Sequence, residues 1–159
     1  MKTICWRESP IGPLGVGEED GAITLILFAG QQPPEGYREG ETPLLREAWE
    51  QLERYFAGEL RQFSLPLAPA GTPFQQAVWR ALEEIPYGET CSYGEIARRV
   101  GRPQASRAVG GANHRNPIPI VIPCHRVIGA GGTLTGYGGG LDRKGLLLDL
   151  ERENRPPKG

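Results

Sequence analysis

Pro123-Cys124-His125-Arg126 sets a thiol, an imidazole and a guanidinium side by side. They follow the β-branched run Ile118 to Ile122 and precede a glycine-rich stretch. A thiol is only about a few per cent thiolate at neutral pH, and the thiolate is the nucleophile, so a working Cys124 needs a base or a positive charge nearby. His125 can supply it if the backbone turns there, because neighbours on a strand point to opposite faces. Pro123 fixes its own φ, and the glycines from Gly129 permit an unusual path. A carboxylate should then orient the imidazole. No acid lies between Glu95 and Asp142, which places it on the last helix, "LDRKGLLLDLERE". The plainer reading of the same residues is a core cysteine at a strand end, beside two surface side chains.

The elements upstream must position this group. "SYGEIARRVGRPQASRAVGGANHRN" opens with a capping box, Ser92 as N-cap and Glu95 three residues on. The first helix runs to Val100, Gly101-Arg102-Pro103 turns the chain, and a second helix starts near Gln104. Two short helices across a glycine-containing turn suggest a DNA-binding helix-turn-helix. A major-groove reader presents several long polar side chains to base edges. The second helix instead reads Ala105-Ser106-Arg107-Ala108-Val109-Gly110-Gly111-Ala112, with Arg107 as its one long side chain. Such a helix suits close approach in a minor groove with little sequence preference. The alternative is that Gly110 and Gly111 serve packing inside the protein.

Charge agrees with a polyanion partner. The net charge of −1 hides 7 Lys and Arg against 14 Asp and Glu in residues 1–89, and 11 against 5 in residues 90–159. Between 91 and 126 stand six arginines (98, 99, 102, 107, 115, 126) and one acid, Glu95. A solvated basic face is the other reading.

The first part reads as strands at "MKTICWRES", "LGVG" and "AITLILF", separated by turn signals. "GQQPPEGYREGE" reads as a loop. Thr42-Pro43 then opens a helix to about Ala57, stopped by Gly58. "SLPLAPAG" reads as a linker, with a boundary near Ala70 between domains 1–70 and 71–159. Thr72-Pro73 repeats the start signal for a helix to about Ile85, with Phe74, Val78, Trp79 and Leu82 inward. The tail "RENRPPKG" is expected to fray. The fold class is α/β (α+β): a strand-rich part with a helix, then a mainly helical part around one short apolar strand.

Hydrophobic content of 38% and charged content of 23% are ordinary for a soluble globular protein. No apolar run approaches the ~20 residues of a membrane span, and no signal-peptide apolar region is visible. Cys5, Cys91 and Cys124 form no CxxC and cannot all pair, which points to a reduced, cytoplasmic compartment. His114 and His125 are the only histidines, and no cluster has metal-ligand spacing. "GYGGG" lacks the strand–turn–helix context of a dinucleotide fingerprint. No cofactor or metal is expected, and no membrane partner.

"IPCHRVIG", preceded by "SRAVGGANHRNPIPI" and followed by "TGYGGGLDRK", resembles the O6-alkylguanine-DNA alkyltransferases (methylated-DNA–protein-cysteine methyltransferases). The likeness runs without a gap from about Thr72 to Glu151 and is looser before that, through "SPIGPL". It implies a ribonuclease H-like N-terminal domain and a winged-helix-like DNA-binding domain. It also implies a monomer that acts once, associates with the nucleoid, and takes an alkyl group from O6-alkylguanine, and from O4-alkylthymine, in double-stranded DNA. In that resemblance Cys124 accepts the alkyl group, His125 is a base acting through a water, and Glu151 sits behind it. Tyr93 helps rotate the nucleotide out and donates to the departing guanine, Arg107 fills the vacated space, and Asn116 braces the hinge before the active-site segment. Ser92, Tyr93, Ala105, Ser106, Arg107, Ala108, Gly110 and Arg115 face DNA. Asn113, Pro119, Val127, Tyr137 and Gly138 line the pocket. The carbonyls of Cys124 and Val127 accept from the guanine amino group, and the Gly138 N–H donates to the guanine oxygen. Family members often carry serine at that last position. The histidines with which some relatives bind zinc are absent.

Other classes explain less. A helix-turn-helix regulator or damage-sensing binder leaves Pro-Cys-His-Arg unused. A redox or hydrolytic thiol enzyme leaves the charge segregation unexplained.

Overall fold

The computed structural model describes residues 1–129 and 140–154. The chain divides into two compact units, Met1–Ala70 and Gly71–Gly159. In the first, strands β1 (Lys2–Arg7), β2 (Leu14–Glu19), β3 (Ala22–Phe28) and β4 (Tyr37–Glu39) form one sheet in the order β3-β2-β1-β4. The first three pair antiparallel and β4 joins β1 in parallel. Helix α1 (Pro43–Phe56) starts where Thr42 Oγ1 accepts from the Leu45 N–H at 3.1 Å, a cap worth about 1 kcal/mol. It buries Leu45, Ala48, Trp49, Leu52 and Tyr55 at helical spacing. Trp49 Nε1 donates to the Cys5 carbonyl at 3.1 Å.

Two expectations for this unit need correction. The stretch taken as a loop contains β4, which pairs only three residues, too few to carry an alternation signal. The proposed linker is partly sheet: the Ile23 N–H donates to Pro66 O and the Ala68 N–H to Ile23 O, both at 2.8 Å. Pro66 and Pro69 lack donors, but the carbonyl and N–H that this edge needs survive between them.

In the second unit, helix α2 (Pro73–Glu83) opens with a full capping box between Thr72 and Gln75. Strand β5 (Cys91–Ser92) leads into α3 (Tyr93–Arg99), and Gly101, at φ +77°, turns the chain toward α4 (Ser106–His114). A 3-10 turn at Cys124–Arg126 leads into β6 (Val127–Ile128), which pairs in parallel with β5, and α5 (Leu141–Glu153) follows. The core joins Val78, Trp79 and Leu82 of α2, Ile96 of α3, Val109 and Ala112 of α4, and Leu147 of α5. Trp79 Nε1 ties α2 to α4 through the Ala112 carbonyl at 2.8 Å. Phe74, expected inward, is only half-buried, with the Arg102 guanidinium 5.6 Å from its ring centre.

Three expectations change here too. Ser92 caps α3, but Glu95 does not return the bond, because its carboxylate accepts from the Cys91 thiol instead. The apolar run before Cys124 is no strand. Prolines at 117, 119 and 123 remove ladder donors, so the segment folds on itself: Ile122 N–H donates to Ile118 O at 2.9 Å and Ile120 sits at φ +75°. For a β-branched residue that is a strained conformation. Finally, Arg152 and Glu153 of the expected frayed tail are helical.

Candidate active site and nucleic-acid interface

Cys124, His125 and Arg126 share one 3-10 turn, and all three are buried, at 4%, 0% and 7% exposure. That removes the reading of a core cysteine beside two surface residues. The turn brings consecutive side chains to bear on α5, whose Lys144, Leu147, Leu148 and Glu151 are its buried residues.

His125 Nε2 lies 2.6 Å from Glu151 Oε2. A carboxylate only accepts, so Nε2 carries the hydrogen and Nδ1 keeps a lone pair. That buried Nδ1 has no partner. Burial pushes the imidazole pKa down, Glu151 pulls it back, and the charges of Arg126 and Lys144 push it down again. His125 is therefore neutral at neutral pH. Burial alone would raise Glu151, but its bonds to His125 and Arg126 outweigh that and hold the carboxyl well below the usual range. Because His125 is neutral, the cation that keeps Glu151 ionised is Arg126.

Burial pushes the Cys124 thiol up to about 11, against the pull of the Asn116 amide, the Lys144 ammonium and two backbone N–H groups. Cys91 is also pushed to about 11, but there burial is reinforced by the Glu95 carboxylate. The polar neighbours of Cys124 favour its thiolate, while the acid beside Cys91 opposes one. Cys124 nevertheless rests as a thiol, so its proton must leave as it attacks. Asn116 ties this segment to itself: its Nδ2 donates to Ile122 O at 2.8 Å and its Oδ1 accepts from the Ile118 N–H at 3.0 Å. Pro119 is buried in the same fold-back.

The pocket carbonyls are already engaged. Cys124 O accepts from the Val127 N–H and from Asn113 Nδ2, at 3.3 Å for the latter, and Val127 O accepts from Lys144 Nζ at 2.6 Å. Tyr137 and Gly138 lie outside the described residues.

Lys144 escaped the sequence reading, and Arg126 was counted with the basic surface. The signal for Lys144 was present. Positions 144, 147, 148 and 151 are one helical stripe, so a helix that buries Glu151 and its leucines buries Lys144 as well. Arg126 is spent on Glu151, which leaves Arg98, Arg99, Arg102, Arg107 and Arg115 as the exposed arginines of that region.

On the helix-turn-helix, Ser106, Arg107 and Ala108 are exposed in the first turn of α4, and Ala105 caps it without a side-chain bond. Arg107 has no partner among the described residues. Gly110 faces inward, its open side 3.8 Å from the Tyr93 ring, whereas nothing lies within 4 Å of the open side of Gly111. A side chain at 110 would make only an ordinary contact and one at 111 none, so packing inside this unit requires glycine at neither position. Ser92 Oγ is spent on the Glu95 N–H at 3.1 Å.

No group of three or more His, Cys, Asp and Glu suited to a metal exists among the described residues, and no helix there is long and apolar enough to cross a membrane.

Residues 73–153 match the 6-O-methylguanine DNA methyltransferase DNA-binding domain, and residues 4–69 match the ribonuclease-like domain of the same family. A methylated-DNA–protein-cysteine methyltransferase of Methanosarcina acetivorans is 58% identical over 148 residues, covering 91% of this chain and 94% of its own. The constitutive one of Bacillus subtilis is 53% identical over 160 residues, covering 96% of each. The crystal structure of Mycobacterium tuberculosis OGT in complex with DNA superposes with a TM-score of 0.91 at 49% identity, over 97% of this chain and 95% of that one. The chain belongs to the 6-O-methylguanine DNA methyltransferase family.

Proposed function

We infer that this protein repairs DNA by direct reversal, transferring an alkyl group from the O6 of guanine, and from the O4 of thymine, to Cys124. The observation that carries this is geometric: one buried turn sets the Cys124 thiol next to His125, whose Nε2 is fixed on Glu151 at 2.6 Å. In the step, the sulfur–carbon bond forms as the carbon–oxygen bond breaks. The thiol proton passes through a water to His125 Nδ1. The electron pair stays with the base, which takes up one proton and leaves as ordinary guanine. Tyr93 donates to the departing base, and the pocket of Asn113, Pro119, Val127, Tyr137 and Gly138 holds it. Because Asn113 and Lys144 already bond the two pocket carbonyls, the guanine amino group must share or displace those donors. The product is a thioether that no group here reverses, so each molecule acts once.

The target oxygen is hidden in a base-paired stack, so the nucleotide must be extruded. The small, exposed face of α4 at Ser106, Ala108 and Gly111, with half-buried Ala105 capping it, favours docking in the minor groove, with Arg107 entering the stack and Arg115 at the far end contacting the backbone. Contacts of this kind carry little sequence preference. The protein works as a monomer of two domains, 1–70 and 71–159, and duplex affinity keeps it on the nucleoid.

Intact mass after incubation with a duplex bearing one O6-methylguanine tests the reading. One methyl group should appear per protein, on Cys124 rather than Cys5 or Cys91, and Cys124→Ser should bind the duplex without accepting it. Repeated turnover, or label on another cysteine, overturns it.

A further inference from the structure

We propose that Arg126 is a positioning residue that keeps His125 in its neutral, proton-accepting form, by forking the carboxylate that would otherwise draw a proton onto the imidazole. The inference rests on His125 being the base, as read above.

The geometry is unusually complete for one side chain. Nε donates to Glu151 Oε1 at 2.8 Å and Nη2 to Oε2 at 3.1 Å, a bidentate pair. Nη1 donates to the Ile85 carbonyl at 2.7 Å, and the guanidinium carbon lies 5.7 Å from the centre of the Tyr87 ring. The Gly88 N–H reaches the same carboxylate at 3.2 Å. Arg126 is thereby held by α5, by the segment after α2 and by its own turn, with no freedom to leave Glu151.

The consequence is electrostatic. A buried histidine paired with a lone carboxylate gains a strong reason to be protonated, and an imidazolium cannot take the thiol proton. With Arg126 on that carboxylate, His125 faces a neutral ion pair instead. Arginine suits the task because it stays charged at any working pH and its fork matches both oxygens. The ionisable groups facing His125 are Glu151 and Lys144 from α5 and Cys124 and Arg126 from the turn, while α2 buries only Val78, Trp79, Ala81 and Leu82. Lys144 also opposes protonation, and its ammonium donates to Val127 O at 2.6 Å. Arg126 is the cation whose fork sits on both oxygens of the carboxylate that favours the imidazolium.

The test is imidazole NMR of the full chain across pH, together with single-turnover transfer rates. There are only two histidines, and His114 is exposed at the end of α4, so the resonances are readily told apart. In Arg126→Gln the His125 titration should move up by at least about one pH unit, and the transfer rate should fall at low pH but recover toward alkaline pH. Arg126→Lys keeps the charge and should leave the titration near that of the unaltered protein. If both variants lose transfer equally while His125 titrates as before, Arg126 is only structural and the proposal fails. Should Arg126→Gln not fold, Glu151→Gln is compared with the double variant Arg126→Gln/Glu151→Gln, which strands no charge. His125 must protonate more readily in the double variant, and equal titration refutes the proposal. The methylation assay on the unaltered protein tests the base reading separately.

Discussion

Lys144 gives the sharpest prediction, because stability and activity should move in opposite directions. Its side chain is fully buried, burial lowers its pKa, and its ammonium donates to the Val127 carbonyl at 2.6 Å. A buried ammonium gives up its hydration, which bonds to protein groups replace only in part. Methionine has nearly the same length and shape without the charge. Replacing buried ionic groups by well-packed apolar ones is commonly neutral to about 1–4 kcal/mol stabilising. For a chain of this size each kcal/mol moves Tm by about 2–4 °C. Lys144→Met should therefore melt at the same temperature as the unaltered protein or a few degrees above it.

Transfer should behave otherwise. The Lys144 charge is one of the groups that pull the Cys124 thiol down from its burial-raised value. A loss of even ~1.4 kcal/mol of support for the developing thiolate slows the reaction about tenfold. Single-turnover transfer from a methylated duplex and calorimetry of the same sample measure both sides. A Tm lowered by several degrees would show that the ammonium holds the fold. An unchanged rate would show that it does not act on Cys124.

Arg107→Ala separates two roles. As an intercalating finger it should slow transfer from duplex about tenfold or more while the free alkylated base reacts normally, whereas a uniform loss of affinity with a salt slope reduced by about one would mark a phosphate contact. Glu151→Gln should slow transfer less completely than Cys124→Ser, since it acts through His125, and an unaltered rate and pH profile would remove it from the relay. Stability should fall on acidification in two stages, read by denaturant unfolding at stepped pH. His125 is depressed in the fold, so the unfolded chain binds its proton first and stability begins to drop below about pH 6.5. Glu151 is also depressed, so its contribution is full above about pH 4.5 and is lost as pH falls below that. Stability flat from pH 7 to 5 would contradict a buried neutral His125.

Much of this was legible because local chemistry declared it. Thr42-Pro43 and Thr72-Pro73 start helices as their cap geometry requires, and Gly101 takes the positive φ expected of a turn. Cys124, His125 and Glu151 came from reactivity and family likeness together. The failures share one cause, tertiary pairing that leaves no periodic trace. β4 is three residues long, Leu67 joins the sheet through a single bridge, and β5 and β6 are two residues each. The run before Cys124 looked extended because it is β-branched, but alternating prolines, with Asn116 as clamp, made it a fold-back. The burial of Arg126 had no local signal at all, since its carboxylate is 25 residues away.

The buried charges also explain why attack, rather than rest, is the stabilised state. At rest the centre holds two cations, Arg126 and Lys144, one anion, Glu151, and a neutral thiol and imidazole. Arg126 and Glu151 cancel through their bidentate bond, and Lys144 adds a positive charge that pulls the Cys124 thiol down. A thiolate forming at Cys124 meets that charge without any group having to move, which is the preorganisation that lowers a barrier in a dry site. The same field makes a resting imidazolium unfavourable, so in the proposed step a proton taken up by Nδ1 would be held only in passing and returned to the departing guanine. Once sulfur carries an alkyl group it can form no anion. The site then keeps the Lys144 charge without the thiolate that it would meet. An arrangement built for one deprotonation serves that event and no second one.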